Sequence, residues 1–323
     1  MKCRVCRGPA VIDIRRHNAN FCEEHFLRLC RDQVVKAVHE FDMLRPTDRV
    51  LVAVSGGKDS LALWDILLEL GYRVDGLYLG LGIGSYSNDS GAFARRFAAE
   101  RSVTLHEIDL LRTHGFDVPY GSRAAKRAPC SACGLSKRHL FDQAALEGDY
   151  DAVATGHNLD DEAAVLMGNV LHWQTEYMAR QHPVLPAGDG FPRKVKPLVR
   201  LGERETAAYC VLRGIEYQLD ECPMAEGNKH LRYKDALNDI ERASPGAKFD
   251  FFFGYLSRAA DRFADADAGR RDLGICIRCG APTTADVCAF CRLTERATSA
   301  QPVHFDRTRR RSAPSPTPEA AAP

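Results

Sequence analysis

The sequence predicts an α/β fold: a doubly wound parallel sheet flanked by a small cysteine-rich module at each end of the chain. Between about residues 48 and 200, short apolar runs rich in β-branched residues alternate with amphipathic segments of helical period. The first of these runs ends at a Ser-Gly-Gly turn, residues 55–57, which leads directly into a helical pattern. Pairs of the form C-x-x-C or C-x-x-H occur near both ends. Alternating strands and helices are typical of a parallel sheet with helices on its two faces.

The predicted elements follow from these periodicities. Strands are expected at residues 50–54, 74–79, 103–108 and 152–155, and helices at 59–70, 89–101, 136–147 and 159–173. Residues 82–85 are glycine-rich and are expected to form a loop. Further helices are predicted at 24–43, 204–213, 229–243 and 249–264, and the basic residues of the third of these are expected to face solvent.

Five segments are expected along the chain. They are an N-terminal metal module (1–28), the main α/β domain (29–200), its helical continuation (201–270), a C-terminal metal module (271–293) and a disordered tail (294–323).

Composition narrows the class of protein. The chain has 323 residues and a formal net charge of +1, so no overall positive field favours nucleic acid. Arginines nevertheless cluster at 123–138, 193–204 and 307–311, and each cluster could form a local basic patch. No apolar run is long enough to span a membrane, and the N-terminus does not resemble a signal peptide. We therefore expect a cytoplasmic protein, in which twelve cysteines indicate metal binding rather than disulfides.

The two ends of the chain carry metal-ligand spacings. Two pairs separated by a short β-like segment give an N-terminal site, and two closely spaced C-x-x-C pairs give a C-terminal one. The predicted ligands are Cys3, Cys6, Cys22 and His25 in the first site, and Cys276, Cys279, Cys288 and Cys291 in the second. Both are interpreted as structural zinc sites, because segments this short cannot fold by core burial alone.

The turn after the first strand has the features of a phosphate site. In the string Ser55-Gly56-Gly57-Lys58-Asp59-Ser60, two glycines place backbone N–H groups at a helix N-terminus with little side chain in the way. The helix dipole also favours an anion there. The string is not the Gly-x4-Gly-Lys-Ser/Thr loop of the common NTPases. The alternative is an ordinary turn between a strand and a helix.

A second polar string follows the strand at 152–155. Gly156 ends that strand, and Asp160 and Asp161 stand at the start of the next helix, where carboxylates are favoured. One of them could hold Mg²⁺ against pyrophosphate, or both could simply cap the helix. The residues alone leave both readings open.

A third pattern combines Cys130 and Cys133, just before Lys137, with the distant Cys222. A helix N-terminus and nearby cations lower thiol pKa values, so these residues are candidate thiolates. Three thiolates could hold an iron–sulfur cluster that keeps one iron free of protein ligands. A redox disulfide between Cys130 and Cys133, or a zinc site with a fourth ligand from elsewhere, fits the spacing as well.

The Ser-Gly-Gly-Lys-Asp-Ser string resembles the signature of the PP-loop ATP pyrophosphatases, which cleave ATP between its α and β phosphates. The string Gly-His-Asn-x-Asp-Asp, the C-x-x-C pair, the later lone cysteine and the two terminal metal motifs resemble the tRNA 2-thiolation family of these enzymes (TtcA/TtuA type). The match extends from Cys3 to Cys291. It implies a [4Fe–4S] cluster and catalytic roles for Cys130, Cys133, Cys222, Lys137 and Asp161. It also implies a nucleotide site formed by Ala53, Ser55, Gly56, Gly57, Asp59, Ser60, Leu79, Lys137 and Gly156.

What the resemblance implies about function is specific. ATP, with Mg²⁺, would adenylate the C2 oxygen of a tRNA uridine, and sulfur would then replace that oxygen. The sulfur would arrive as a thiocarboxylate at the C-terminus of a ubiquitin-like carrier protein, and a homodimer is compatible with the family. Uridine 54 is favoured over the wobble uridine. Two alternatives remain at this point: a cysteine persulfide enzyme without a cluster, and an RNA-binding scaffold with a vestigial loop.

Overall fold

The computed structural model describes residues 1–225, 229–267 and 273–299. The N-terminal module is a hairpin of β1 (Ile12–Ile14) and β2 (Ala19–Phe21), followed by the long helix α1 (Glu23–Glu40). Its apolar side chains Ile12, Ile14 and Phe21 are buried. The module is therefore packed onto the main domain.

The remaining elements follow in chain order. The main domain contains β3 (Arg49–Val54), α2 (Lys58–Glu69), β4 (Arg73–Gly80), α3 (Gly84–Arg101), β5 (Leu105–Asp109), α4 (Leu110–His114), α5 (Val118–Ala124), α6 (Pro129–Glu147), β6 (Ala152–Thr155), α7 (Leu159–Leu171), α8 (Thr175–Ala179), β7 (Val184–Leu185) and β8 (Lys194–Val195). After it come α9 (Glu203–Leu212), α10 (Lys229–Ala243), α11 (Ala247–Arg258), β9 (Gly274–Ile275), β10 (Pro282–Thr283) and α12 (Ala289–Ser299), with 3-10 turns at Arg15–His17, Pro197–Arg200 and Ala260–Asp267.

Six strands form the central sheet in the order β5-β4-β3-β6-β8-β7. All neighbouring pairs are parallel except β7 with β8. The chain moves outward from β3 to β5 and then returns to place β6 on the other side of β3. In open sheets of this kind, ligands bind beyond the carboxyl ends of the strands where the order reverses. The ends of β3 and β6 are therefore the expected site, and both carry the glycine strings found in the sequence.

The sheet separates two apolar cores. Val50, Val52 and Val54 of β3 enter a core shared with the N-terminal module, α1, α2, α9 and α11, which we call the first core. Leu51 points the other way, into a second core that contains Phe116, Leu140 and, from the C-terminal module, Phe290 and Leu293. Successive strand residues face opposite sides, so each terminal module covers one face of the sheet. The doubly wound α/β prediction is confirmed.

Several predicted boundaries differ from the structure. Helix α3 begins at Gly84, so the predicted loop at 82–85 is wrong for its last two residues. Helix α6 begins at Pro129 rather than 136, which places the C-x-x-C pair inside its first turn. The short antiparallel strands β7 and β8 were not predicted, because two residues give no periodicity.

The C-terminal end also differs. Residues 294–299 belong to helix α12 and are not a disordered tail, because Leu293 and Ala297 continue an apolar stripe that begins at Phe290. The rest of the predicted tail, with the arginines at 307–311, lies outside the described residues. Among the helices that the structure describes, each is too short or too polar to pass through a bilayer.

Candidate active site

The turn between β3 and α2 is fixed by its own serines and by one glycine. The buried hydroxyl of Ser60 accepts a hydrogen bond from the backbone N–H of Ser55 at 3.1 Å and donates one to the carbonyl of Gly57 at 2.9 Å. Gly56 has φ +75°, and a β-carbon there would lie 2.1 Å from the carbonyl oxygen of Ser90 on α3. Only glycine fits this position. Ser55 itself is exposed, so it can face a ligand while Ser60 holds the turn.

The second glycine string meets the first one directly. A β-carbon on Gly156 would lie 2.9 Å from the backbone nitrogen of Ser60 and 3.0 Å from the carbonyl carbon of Asp59. The end of β6 is thus packed against the first turn of α2. Ala53, half-buried at the end of β3, pairs with Thr155 of β6, whereas Leu79 near the end of β4 is buried in the second core. Gly156 and the glycine turn therefore lie at one edge of the sheet, with Ala53 and Leu79 near the ends of their strands. The structure places Lys137 on α6.

Asp59 joins three elements. Its Oδ1 accepts hydrogen bonds from Asn158 Nδ2 at 3.0 Å and from the Thr206 hydroxyl, and its Oδ2 lies 3.1 Å from Lys58 Nζ. Burial raises the pKa of the Asp59 carboxyl, although the positive charge of Lys58 opposes that shift. Asp59 therefore ties α2 to α7 and α9, and positions the turn from beneath.

The two aspartates of the second string have different roles in the fold. Asp160 is buried, accepts a hydrogen bond from the backbone N–H of Glu203 at 2.9 Å and pairs with Lys248. Asp161 caps α7 in a reciprocal box with Asn158, each backbone N–H bonded to the other's side chain at 3.1 Å. The second oxygen of Asp161 lies 2.6 Å from Lys234 Nζ. Asp161 therefore caps α7, as one of the two interpretations predicted, and its second oxygen faces a cationic side chain.

Lys58, Asp59, Asp161, Glu203 and Lys234 form a continuous group of ion pairs above the turn, which we call the charge network. Glu203 bridges the two lysines, with Lys58 at 2.7 Å and Lys234 at 3.3 Å. Burial opposes the charge on Lys234, but Asp161 and Glu203 outweigh it and raise the pKa of this lysine. In the same way, the two lysines lower the pKa of Glu203 against the effect of burial. The opposite charges of the two lysines and Glu203 therefore favour the ionised form of each.

Sequence reasoning missed two members of this network. Lys234 was expected on a solvated face of its helix, but only 20% of its side chain is exposed, because α10 packs along α7. Glu203 was assigned no role, although it opens α9 beside the loop. Helical periodicity places such a residue on a face but does not say which helix that face meets. No signal in the single sequence would have paired them.

The first turn of α6 presents the C-x-x-C pair, with Cys130 exposed and Cys133 half-buried. The thiol of Cys130 donates to the carbonyl of Met224 at 3.4 Å, so the segment around Cys222 lies against this turn. Cys133 and Cys222 pack against the same second core, and both interact electrostatically with Tyr86 of α3. The structure thus brings the three cysteines together.

The expected low thiol pKa is wrong for Cys133. Burial raises the pKa of this thiol, and the neighbouring Cys222 and Cys130 raise it further. Lys137, one turn further along α6, lowers it as predicted, but less than burial raises it. A thiol in this environment needs a bound metal to become a thiolate.

The cysteines also lie close to the glycine turn. The backbone N–H of Gln218 donates to the carbonyl of Gly56 at 2.9 Å. Cys222 follows four residues later, so it lies within about 14 Å of that contact. The sulfur atoms of Cys130, Cys133 and Cys222 are too far apart to bind one metal ion together. Among the described residues, three or more ligand atoms lie within 4.8 Å of one another only in the two terminal groups. A multi-iron cluster has a different requirement, because each thiolate binds a different iron.

The two terminal groups each place four ligand atoms within 4.8 Å of one another. The N-terminal group is Cys3, Cys6, Cys22 and His25, and the C-terminal group is Cys276, Cys279, Cys288 and Cys291. Sulfur–sulfur distances are 3.8 Å for Cys6 to Cys22, and 3.7 and 3.9 Å in the C-terminal group. A regular tetrahedron with 2.3 Å metal–sulfur bonds has edges of about 3.8 Å. Each group could therefore hold a tetrahedral ion without rearrangement.

Backbone donors prepare one thiol in each group for a metal. Burial alone would raise the pKa of Cys3 and Cys276, but several backbone N–H groups bond to each sulfur and outweigh it. These hydrogen bonds lower the pKa of both thiols to about 6. The backbone donors therefore favour the thiolate form of these two cysteines, which is the form that binds a metal.

Comparison with known proteins agrees with this geometry. Residues 2–27 match the model of the 2-thiouridine synthetase TtuA N-terminal LIM domain. A tRNA-5-methyluridine(54) 2-sulfurtransferase from Thermus thermophilus is 50% identical over 91% of each chain, and one from Pyrococcus horikoshii is 39% identical over 90% of this chain and 93% of its own. The solved structure of the U34-tRNA thiolase NcsA from Methanococcus maripaludis, with its [4Fe-4S] cluster, superposes with a TM-score of 0.77 at 25% identity. It covers 91% of this chain and 96% of NcsA.

These relatives match about nine-tenths of the chain, at up to 50% identity. The chain therefore belongs to the TtuA-type family of tRNA 2-thiolation proteins.

Proposed function

We propose that this protein is an ATP-dependent tRNA-uridine 2-sulfurtransferase that acts on uridine 54. The observation that carries the proposal is the Gln218–Gly56 hydrogen bond, which ties the Cys222 segment to the glycine turn. Through it, an adenylating site and a three-cysteine group lie at the same edge of the sheet. The names of the relatives at 50%, 39% and 38% identity support position 54 over the wobble position.

The reaction has two balanced steps. The C2 oxygen of the uridine attacks the α-phosphorus of ATP, the bond from that phosphorus to the bridging oxygen breaks, and pyrophosphate leaves. Hydrosulfide then adds to C2 and AMP leaves with the former carbonyl oxygen. The sulfhydryl proton replaces the N3 proton lost on adenylation, so that a C=S bond replaces C=O. The first step is needed because the carbonyl oxygen is a poor leaving group until it carries a phosphoryl group.

The protein's own groups suit the first step. We assign the backbone N–H groups of Gly56 and of the first turn of α2 to the phosphates. Lys58 and Lys234 of the charge network would then neutralise the leaving pyrophosphate. Ala53, Leu79, Gly156 and Lys137 are assigned to the nucleotide only by resemblance to the family. Asp59 and Ser60 shape the turn from behind.

Magnesium is assigned to the same edge. Oxygen ligands suit this ion, and we assign it to the carboxylates of Asp161 and Glu203, with 25% and 38% of their side chains exposed. Asp59 is as exposed as Asp161, but its Oδ1 already accepts hydrogen bonds from Asn158 and Thr206. Triphosphate binding would draw the two lysines toward its charges and release these carboxylates for the cation. Asp161 would then serve the reaction, as the family resemblance implies, while its other oxygen keeps the helix cap.

We assign a [4Fe–4S] cluster to Cys130, Cys133 and Cys222. Such a cluster, when bound by three thiolates, supplies an iron without a protein ligand at which sulfur can be held. Cys130 is open to solvent while Cys133 and Cys222 are partly buried, so the group has one accessible side. Two Zn²⁺ ions are assigned to the terminal groups, whose sulfur spacings fit tetrahedral thiolate coordination.

The partners follow from this chemistry. The substrate is tRNA, and a ubiquitin-like carrier with a C-terminal thiocarboxylate is the proposed sulfur donor, with a homodimer as the proposed assembly. A chain with this many metal-binding thiols is suited to a reducing compartment, which supports the cytoplasm.

The test is nucleoside mass analysis of unmodified tRNA after anaerobic incubation with the protein, ATP, Mg²⁺ and sulfide. We expect one 2-thiouridine per tRNA, mapped to position 54 and dependent on ATP. A thiouridine at the wobble position would overturn the assignment of position 54. No thiouridine, with the protein folded and its metals loaded, would contradict the proposal as a whole.

A further inference from the structure

Three exposed basic residues lie at the end of α5 and in the turn that joins it to α6: Arg123, Lys126 and Arg127, which we call the basic segment. Within residues 1–225, 229–267 and 273–299, none of the three forms an ion pair with a carboxylate. Some arginines elsewhere are closely paired, such as Arg16 with Glu205 and Arg101 with Asp65. In a chain of net charge +1, this is a local excess of positive charge.

The backbone holds this segment in a defined shape. The N–H of Lys126 bonds to the carbonyl of Arg123 at 3.0 Å, and that of Arg127 to the carbonyl of Ser122 at 2.8 Å. Lys126 adopts a left-handed conformation with φ +52°. Beneath it, Gly121 is packed so closely that a β-carbon would lie 2.5 Å from the ring of Phe116. The three charges are therefore presented by a rigid turn.

The C-terminal module supports that turn. Helix α12 packs against both α5 and α6, and its Phe290 stacks on His139 of α6 with ring centroids 4.2 Å apart. Phe290 also faces Phe116 in the second core. The module thus fixes the orientation of α5 relative to the cysteine turn, which gives it a role beyond its own metal site.

The segment borders the three-cysteine group. Arg127 precedes the exposed Cys130 by three residues, so the two Cα atoms lie within about 11 Å. Arg138, exposed on α6, reaches back along the helix to within 3.2 Å of the position of a β-carbon on Gly134. Positive charge is therefore present on both sides of the turn that carries Cys130.

We propose that the basic segment binds the phosphate backbone of tRNA beside the target nucleotide. The inference rests on the proposed function, and it names the surface that the substrate uses. A base inside folded RNA must leave its stack to reach an enzyme's reacting groups, and the flanking phosphates then need to be held. Guanidinium groups suit phosphate because they offer two parallel hydrogen-bond donors. A guanidinium group without an ion pair in the protein has no such pair to break when it binds phosphate. When the target nucleotide reaches Cys130, the phosphates on either side of it would lie close to the basic segment.

The test compares two triple variants with the same charge change. In R123A/K126A/R127A the segment is neutral, whereas K36A/R73A/R258A removes three exposed basic residues that lie on α1, at the start of β4 and on α11. These control positions are on the first-core side or at the opposite edge of the sheet. Binding of labelled unmodified tRNA to the metal-loaded protein is measured from 50 to 300 mM KCl, with ATP binding measured alongside.

We expect the slope of log K against log salt to fall by about 2.7, at about 0.9 per lost phosphate contact, only in the first variant. Its tRNA affinity at 100 mM KCl should fall by roughly 10-fold or more, whereas the control should change by less than about 2-fold. ATP binding should match wild type in both. Single variants of the three residues, each expected to lower the slope by about one, replace the triple variant if it fails to fold.

An unchanged slope and affinity in the first variant would overturn the inference. So would normal tRNA binding combined with loss of binding to a thiocarboxylated ubiquitin-like carrier, since the surface would then belong to that protein. Failure of the proposed function would look different from failure of this inference. The wild-type protein would then form no thiouridine, whatever tRNA binding the variants show.

Discussion

The contact between Arg16 and Glu205 makes a strong prediction about how the N-terminal module is held. Arg16 lies in the 3-10 turn between β1 and β2, and its guanidinium donates to both carboxylate oxygens of Glu205 at 2.9 and 2.7 Å. It also donates to the carbonyl of Arg200 at 2.8 Å. Only 10% of the Arg16 side chain and 6% of that of Glu205 are exposed. Replacing Arg16 by methionine would leave a buried carboxylate without its counter-ion.

Removing one partner of a buried ion pair costs about 3–5 kcal/mol. At the lower value, local opening becomes about 150-fold more frequent. The effect should reach α9, because Glu205 also accepts a hydrogen bond from the backbone N–H of Gly202 at the start of that helix, at 2.8 Å. Glu203, one residue into α9, belongs to the charge network. We therefore expect both the module and this edge of the active site to loosen.

Native-state hydrogen exchange measures this directly. In Arg16→Met, amides of β1, β2 and the first turns of α9 should lose about two orders of magnitude of protection, while those of β3 to β5 stay unchanged. Arg31→Met is the matched control, since Arg31 pairs with Glu69 at a similar 2.8 Å but with 36% and 23% of the side chains exposed. That change should cost less than about 1 kcal/mol. Equal loss of protection in the two variants would refute the reasoning.

Three further predictions concern the turn, the charge network and pH. Gly56→Ala forces φ +75° on alanine and puts its β-carbon 2.1 Å from a carbonyl oxygen of α3, so ATP affinity in calorimetric titration should fall at least roughly 10-fold. Gly71 has a similar φ of +83° but open space around it, so Gly71→Ala should bind ATP normally. An equal loss of ATP affinity in the two variants would show that backbone strain alone, and not the close approach to α3, is responsible. Lys234→Met should slow tRNA-dependent pyrophosphate release roughly 10- to 100-fold. The control is Lys194→Met, which breaks the ion pair with Asp142 of α6 and should change that rate by less than about 2-fold. A normal rate in the first variant would remove this lysine from the site. Burial and three nearby arginines lower the pKa of His17 to about 4, below its ordinary 6.5. Its neutral form therefore stabilises the fold above pH 6.5, and that contribution is lost as pH falls toward 4. The thermal midpoint of His17→Asn should decline less between pH 7 and 5 than that of wild type, and parallel declines would contradict this.

The sequence predicted what local chemistry determines. Gly56 and Gly156 could be placed at one edge, because both follow strands of a parallel sheet and such strands end together. The terminal metal groups could be predicted because their ligands are close along the chain. Both kinds of evidence are short-range.

Contacts between residues far apart in the sequence were harder to predict. The grouping of Cys222 with Cys130 was one of several open interpretations until the resemblance favoured it, since 92 residues separate them and no periodicity links them. The ion pair of Lys234 with Asp161 depends on how α10 packs along α7, which is a tertiary choice. Cys133 was expected to be readily ionised because the sequence shows its cations but not its burial. In each case the deciding quantity was a distance or an exposure that only the folded chain defines.

The central claim is that Cys130, Cys133 and Cys222 hold a [4Fe–4S] cluster beside the ATP-binding turn. Iron and acid-labile sulfide analysis of anaerobically purified protein tests it most directly, with Cys210→Ala as a control for a buried thiol in the first core. We predict about four iron and four sulfide per chain in wild type and in the control. In Cys222→Ala we predict loss of both, with ATP binding retained and no thiolation. Full iron content and normal tRNA thiolation in Cys222→Ala would contradict the account.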